Sequence, residues 1–180
     1  MLSGDFMAPN ESSICRVVCD AGPVIHLDEL GCENLFQDFK EVILTEAVWN
    51  EIIFNIPNGW NKTDLPFIRK TNCIPVGEDL NTLCRVFSLH RGEVSALGIM
   101  ENNPEALFLT DDCAARLVAE KMGYNVHGTI GILLRAIRRE LLKPSEVLNL
   151  LSELPQRSSL YIRNSLLNEV IENLKKEFQL

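Results

Sequence analysis

The chain has 180 residues, 46% of them hydrophobic, and its formal net charge at pH 7 is −8. This size and composition fit one globular domain with a hydrophobic core and argue against a disordered or disulfide-dependent chain. The negative charge argues against binding nucleic acid through a broad basic surface, because such binding draws its affinity from neutralised phosphates.

The sequence carries no signal for a membrane or for secretion. No apolar run approaches the roughly 20 residues that a bilayer span needs. The first ten residues include Asp5 and Pro9 and lack the apolar core of a signal peptide. We therefore expect a cytoplasmic protein without a membrane partner. Its six cysteines form no CxxC pair, so we expect buried, reduced thiols rather than a zinc ribbon.

Short strands and helices alternate along the first part of the chain. Residues 15–19 predict a buried strand that the turn-forming residues 20–23 end, and a helix then runs to Gly31. Residues 41–44 predict a second strand, and Thr45 can cap the helix that follows it. Each pair forms a strand-to-helix unit.

Residues 55–72 have no sustained hydrophobic period and predict an irregular loop. The alternation then resumes, with helices predicted at 79–89, 92–101, 113–122 and 129–142, strands at 106–109 and 124–127, and further helices separated by Pro144 and Pro155. Together these elements predict an α/β fold with three layers, in which helices flank a mostly parallel central sheet.

Two clusters of basic residues need an explanation in an acidic chain. Arg135, Arg138 and Arg139 form one, and Lys175 and Lys176 form the other. We interpret each cluster as a solvated helix face.

Four acidic residues stand out because of where the predicted elements place them. Asp20 follows the first strand, Glu51 lies on the second helix, Glu93 lies in the first turn of a later helix, and Asp112 follows a later strand. In open α/β sheets, ligands bind beyond the carboxyl ends of the strands. Each acid alone has a plainer explanation, as a turn or helix cap for the aspartates and a solvated helix charge for the glutamates.

Five segments, in order, resemble the PIN-domain family, and more closely its VapC-like subgroup of predicted metal-dependent ribonucleases. They are residues 17–25, 42–52, 92–97, 107–112 and 123–131, the last of which includes Gly128-Thr129-Ile130-Gly131. On this resemblance we divide the chain into a polar N-terminal tail at 1–14, a PIN-like nuclease domain at 15–155, and a C-terminal helix at 156–180.

The resemblance implies a Mg²⁺ or Mn²⁺ site held by Asp20, Glu51, Glu93 and Asp112, with Asp111 as a neighbour of the metal. Hard divalent ions prefer carboxylate oxygens, and Mg²⁺ usually takes only one or two of them directly. The family pattern of threonine, a variable residue and aspartate assigns the ligand to Asp112. Asp111 is then expected to serve as a helix cap or an outer contact of the site.

The predicted function is cleavage of RNA by this metal-dependent centre, which makes the chain a PIN-type endoribonuclease. A narrower expectation is that it is the toxin of a toxin–antitoxin pair, with an antitoxin protein as a partner. The alternative is a PIN-fold protein with weak or no catalytic activity that binds nucleic acid or has a regulatory role. Gly22 favours this alternative, because many relatives carry serine or threonine at that position. The apolar stripe of the C-terminal helix either packs on the domain or forms a homodimer.

Other catalytic candidates are weaker. His26, His90 and His127 share no signature, so we expect structural histidines. Neither Ser95 nor Ser165 lies in the sharp turn that presents a hydrolase nucleophile.

Overall fold

The computed structural model describes residues 16–56, 64–70 and 76–179. Within these residues a single sheet has five strands, which are β1 (Arg16–Cys19), β2 (Glu41–Thr45), β3 (Phe67–Lys70), β4 (Leu107–Leu109) and β5 (Asn125–His127). All neighbouring strands are parallel, and their order is β3-β2-β1-β4-β5. The predicted α/β fold with a parallel central sheet is confirmed.

Strand β1 lies at the centre of the sheet, where Val18 pairs with Ile43 of β2 and with Phe108 of β4. Val17, Val18 and Cys19 are all fully buried, so both faces of the strand are covered. The chain adds β2 and β3 on one side of β1, and later adds β4 and β5 on the other side. The strand order therefore reverses between β1 and β4, which is where open α/β sheets bind ligands.

Helices flank this sheet. The described part of the chain has eight α-helices, which are α1 (Ala21–Leu30), α2 (Glu46–Asn55), α3 (Glu78–Val86), α4 (Arg91–Glu101), α5 (Cys113–Lys121), α6 (Thr129–Arg138), α7 (Pro144–Arg157) and α8 (Asn164–Phe178). A 3-10 helix (Glu33–Asp38) joins α1 to β2. Helix α4 packs on β1, β2 and α2, and α1 packs on α6 and α7.

Local signals in the sequence explain several helix ends. Helix α1 ends at Gly31, whose φ of 70° is left-handed and suits glycine. Helix α2 begins after Thr45, whose hydroxyl accepts a hydrogen bond from the backbone N–H of Val48 at 3.2 Å. Both features agree with the predicted helix boundaries.

Four predicted boundaries were wrong. Helix α3 ends at Val86 rather than at residue 89. No turn separates β1 from the next helix, because α1 begins at Ala21 and Pro23 sits in its first turn, where proline is tolerated. Helix α6 ends at Arg138 rather than at residue 142. Pro155 lies inside the last turn of α7, which runs to Arg157, and so does not separate two helices.

The predicted loop at 55–72 contains a strand. Phe67–Lys70 forms β3, which pairs with β2 at the edge of the sheet. Its Phe67 ring meets Phe36 edge-on, with the ring centroids 5.2 Å apart. Residues 57–63 and 71–75 lie outside the described residues, so that part of the prediction stays open.

Two predictions about side-chain exposure also need correction. Arg135 is buried rather than solvated, and its Nε lies 2.8 Å from Asp38. Arg139 binds the same carboxylate at 3.0 Å. Cys113 is exposed, whereas the free cysteines Cys19, Cys32 and Cys84 are buried as expected. Cys15 and Cys73 lie outside the described residues.

The C-terminal helix α8 packs against α7 and buries Leu167 and Leu174. Leu166 on the same helix is partly exposed. The stripe therefore packs at least partly on its own chain, and the homodimer stays a prediction. Among the described residues, no helix is both long and apolar enough to cross a membrane.

Candidate active site

Asp20 lies at the carboxyl end of β1, at the point where the strand order reverses. Its side chain is 6% exposed, and its Oδ2 accepts a hydrogen bond from the Thr110 hydroxyl at 3.1 Å. Its backbone N–H donates to the Leu109 carbonyl at 2.8 Å. Although Asp20 occupies the N-cap position of α1, its side chain makes no capping hydrogen bond. The alternative of a simple helix cap is therefore not supported.

The electrostatic surroundings of Asp20 disfavour its ionised form. Burial is the main cause that raises the pKa of Asp20 to about 7, and the charges of Glu93 and Glu51 raise it further. The backbone N–H of Ala21 and the hydroxyl of Thr110 lower the pKa of Asp20 and are outweighed. Neither a lysine nor an arginine is among these influences. A bound cation would relieve the strain.

Glu51 and Glu93 come from two different helices, α2 and α4, and face the same region. The pKa of Glu51 is raised by its partial burial and then by the charge of Glu93, while His90 lowers it. Glu93 lies in the first turn of α4, where its Oε2 accepts a hydrogen bond from the His90 backbone N–H at 2.5 Å. Its Oε1 lies 3.6 Å from His90 Nδ1.

Gly92 allows the start of α4 to approach these acids. A Cβ atom at Gly92 would lie 3.1 Å from Glu51 Oε2 and 3.8 Å from Asp20 Oδ1. Both oxygens therefore face the same side of the glycine backbone. The pattern of glycine followed by glutamate thus has a steric reason, because a side chain at Gly92 would press on Glu51.

Asp111 and Asp112 have different roles from those expected. The exposed Asp112 caps α5, since its Oδ1 accepts a hydrogen bond from the Ala115 backbone N–H at 2.7 Å. The side chain of Asp111 is largely buried and accepts from the Thr129 backbone N–H at 2.8 Å and from the Thr129 hydroxyl at 2.5 Å. Asp111 therefore does not cap α5, the helix that follows it, but binds the first backbone N–H of α6. Metal binding by either residue stays a prediction.

His26 is also part of this arrangement. Its Nδ1 lies 2.8 Å from Asp111 Oδ2, which joins α1 to the end of β4. This confirms a structural partner for His26, whereas the side chain of His90 is 89% exposed and differs from the expected structural histidine. Among the described residues the Ser95 hydroxyl has no basic partner: it donates to the Gly92 carbonyl at 2.7 Å and lies 2.6 Å from Thr45 Oγ1.

Sequence reasoning missed three polar residues around the acids. Thr110 binds Asp20, and Thr129 and His26 bind Asp111. Two were signalled by position, because Thr110 directly precedes the paired aspartates and Thr129 belongs to the segment at 123–131. Their partners could not be read from the sequence, since they lie 90 and 18 positions away.

The carboxylates gather only in part. The charges of Glu51 and Glu93 both act on Asp20, whereas Asp112 points to its own helix. Within the described ranges, no three histidine, cysteine, aspartate or glutamate side chains are grouped closely enough to hold a metal ion. Mg²⁺ typically takes one or two carboxylates and keeps several waters. Asp20 and one neighbouring glutamate are the carboxylates here that a hydrated divalent ion could use, and metal binding by them stays a prediction.

Fold and site together define an α/β protein with a buried, charge-strained carboxylate at the switch point of a parallel sheet. A family model described as PIN domain matches residues 16–176. The chain therefore belongs to the PIN-domain family, which is the family that its sequence segments resemble. No curated protein and no solved structure shows a significant match to it.

Proposed function

We propose that this protein is a metal-dependent ribonuclease whose centre is Asp20, with Glu51 and Glu93 beside it. The observation that carries this proposal is the burial of Asp20 between two glutamates, which raises its pKa to about 7. A carboxylate that is costly to ionise alone is a good ligand for a cation. Membership of the PIN-domain family supports nuclease chemistry at this position.

Hydrogen bonds within the protein orient the carboxylates of this centre. Thr110 orients the Asp20 carboxylate, and the His90 backbone N–H orients Glu93. Bound Mg²⁺ or Mn²⁺ would lower the pKa of a coordinated water and neutralise charge on a phosphate. Asp112 is proposed as an outer ligand, because its second carboxylate oxygen is free of the cap that Oδ1 makes.

RNA is the substrate that we propose, which agrees with the cytoplasmic location expected from the sequence. A VapC-like toxin with an antitoxin partner is a narrower version of the same proposal. The net charge of −8 requires that bound cations reverse the local field before RNA approaches.

The second candidate is a regulatory PIN-fold protein without catalysis. Two observations favour it. The described residues show no group of three metal ligands, and Gly22 supplies no hydroxyl beside the acids. A Cβ at Gly22 would make only ordinary contacts, 3.6 Å from Asp111 Oδ2, so the missing hydroxyl is not forced by lack of space.

A nuclease assay on total RNA separates the two candidates. We expect cleavage with Mn²⁺ or Mg²⁺, none with EDTA, and none by Asp20→Asn. Asp79→Asn is the matched control, since Asp79 is an exposed acid in the first turn of α3. Wild-type protein that binds Mn²⁺ but cleaves no RNA would support the regulatory alternative.

A further inference from the structure

A groove opens beside the candidate active site and has a volume of about 530 Å³. Small-molecule sites typically enclose about 300–1,000 Å³, so the groove is large enough for one nucleotide. One wall comes from the start of α5 and the start of α6, and the other from the segment between α7 and α8 and from α8 itself. Asp111 lies in the first wall, so the groove reaches the segment after β4 that also carries Thr110, the hydrogen-bond partner of Asp20.

The second wall combines an aromatic ring, a cation and apolar side chains. Tyr161 is 89% exposed, and it lies between Leu160 and Ile162, which pack partly on the core. Arg163 is exposed and makes no ion pair within the described part of the chain. An exposed ring beside a guanidinium group is the combination that binds a base by stacking and the adjoining phosphate by charge.

Hydrogen bonds hold this wall in place. Glu29 of α1 accepts from the Ser158 hydroxyl and from the Ser159 backbone N–H, both at 2.7 Å. Although partial burial is the largest single influence on Glu29 and raises its pKa, these hydrogen bonds lower the pKa overall. Arg157 adds a bond from its Nη2 to the Leu30 carbonyl at 2.8 Å. A pre-formed wall loses less entropy when a ligand binds.

The opposite wall is equally constrained. Gly128 is buried, and a Cβ there would overlap Asp111 Oδ1 and lie 3.1 Å from the Thr110 carbonyl. Arg116 donates to that same carbonyl at 3.1 Å. The carbonyl belongs to the residue whose hydroxyl binds Asp20. One side of the groove is thus built from the same residues that shape the candidate active site.

We propose that this groove binds one nucleobase of the RNA strand, stacked on Tyr161, with the adjoining phosphate on Arg163. This subsite rests on the proposed ribonuclease function and extends it, because it names the residues that hold the strand beside the scissile phosphate. In a chain of net charge −8, an exposed arginine that makes no ion pair with any described residue, in a groove also lined by Asp111, favours a polyanion over a neutral or acidic partner. A peptide from a partner protein is the competing occupant.

The test measures the affinity for a fluorescently labelled single-stranded RNA of about 12 nucleotides, with Ca²⁺ replacing Mg²⁺ and Mn²⁺ so that a divalent cation is present while cleavage is suppressed. Tyr161→Ala is expected to weaken binding about 5- to 100-fold, whereas Tyr161→Phe, which keeps the stacking face, stays within about twofold of wild type. Phe54→Ala is the matched control, because Phe54 is an aromatic residue 87% exposed on α2 that does not line the groove.

Arg163→Gln provides an independent readout. Loss of one phosphate contact to single-stranded RNA should reduce the slope of log affinity against log salt by about 0.7. An unchanged slope, or a Tyr161→Ala protein that binds like the Phe54→Ala protein, overturns the subsite.

Failure of this inference is distinguishable from failure of the proposed function. If wild type cleaves RNA and Tyr161→Ala binds RNA equally well, the subsite is wrong and the ribonuclease stands. If wild type neither binds nor cleaves RNA, both proposals fall.

Discussion

Replacing Asp20 by asparagine tests whether this residue is strained for function. Burial and the charges of Glu93 and Glu51 raise the pKa of Asp20 from 3.8 to about 7. At about 1.4 kcal/mol per pH unit, keeping it ionised without metal costs about 4 kcal/mol above pH 7. Asparagine removes the negative charge and keeps one oxygen that can accept the hydrogen bond from Thr110. Its amide NH₂ group, however, replaces the second carboxylate oxygen and donates hydrogen bonds where that oxygen accepted them. We therefore expect metal-free Asp20→Asn to exceed wild type in unfolding free energy by about 1–3 kcal/mol.

The pH dependence has a definite sign. Because the pKa is higher in the folded protein, the folded state holds this proton more tightly between about pH 4 and pH 7. The metal-free wild type should lose stability as the pH rises through that window, and the loss should be complete above it. Below the unfolded pKa of 3.8 the carboxyl is protonated in both states, so its penalty vanishes. Asp20→Asn should lack this dependence.

Urea unfolding in EDTA and in Mn²⁺ measures both effects. Mn²⁺ at about 100 times its dissociation constant should stabilise wild type by about 2.7 kcal/mol and leave Asp20→Asn nearly unchanged. Asp79→Asn should respond to Mn²⁺ as wild type does. A metal-free Asp20→Asn protein that is clearly less stable than wild type would refute the reasoning and make Asp20 a structural residue.

Three further substitutions separate metal chemistry from folding. Gly92→Ala should keep or slightly raise the unfolding free energy, since alanine favours helix by up to about 1 kcal/mol. It should nevertheless reduce the cleavage rate, because its Cβ would displace Glu51. A lowered melting temperature that accompanies the lost cleavage would contradict this. Asp112→Asn should abolish Mn²⁺-dependent cleavage, and because asparagine is also a good N-cap, it should leave the melting temperature unchanged. Cleavage at the wild-type rate would show that Asp112 does not belong to the metal site. Asp111→Ala should lower the unfolding free energy by about 1–3 kcal/mol, because Thr129 loses a buried acceptor; urea unfolding checks this, and an unchanged midpoint would show that Asp111 is not structural.

The sequence predicted the strands and helices whose signals are local. The apolar runs predicted at 15–19 and 41–44 correspond to the mostly buried, parallel strands β1 (Arg16–Cys19) and β2 (Glu41–Thr45), and Thr45 and Gly31 mark helix boundaries by their own chemistry. Strand β3 gave no such signal. It pairs at the edge of the sheet, and its neighbours include proline and asparagine, so the hydrophobic period was too short to recognise.

The candidate site was predictable only as a set of residue types. The positions of Asp20 and Glu93 at a strand end and a helix start indicated where they would lie, and the structure brings their charges together. The division of roles between Asp111 and Asp112 was not readable, because adjacent residues at a strand end differ only in direction. The buried pairing of Arg135 with Asp38 joins residues 97 positions apart, and nothing local marks it.

The most direct test of the proposed metal centre is the initial rate of cleavage of a defined RNA, measured across a Mn²⁺ titration for wild type and Asp20→Asn. We predict a rate that rises to saturation with Mn²⁺ for wild type and stays at background for Asp20→Asn, although both proteins are folded. Cleavage that persists in EDTA, or an Asp20→Asn protein that cleaves at the wild-type rate, would contradict a metal-dependent centre at Asp20.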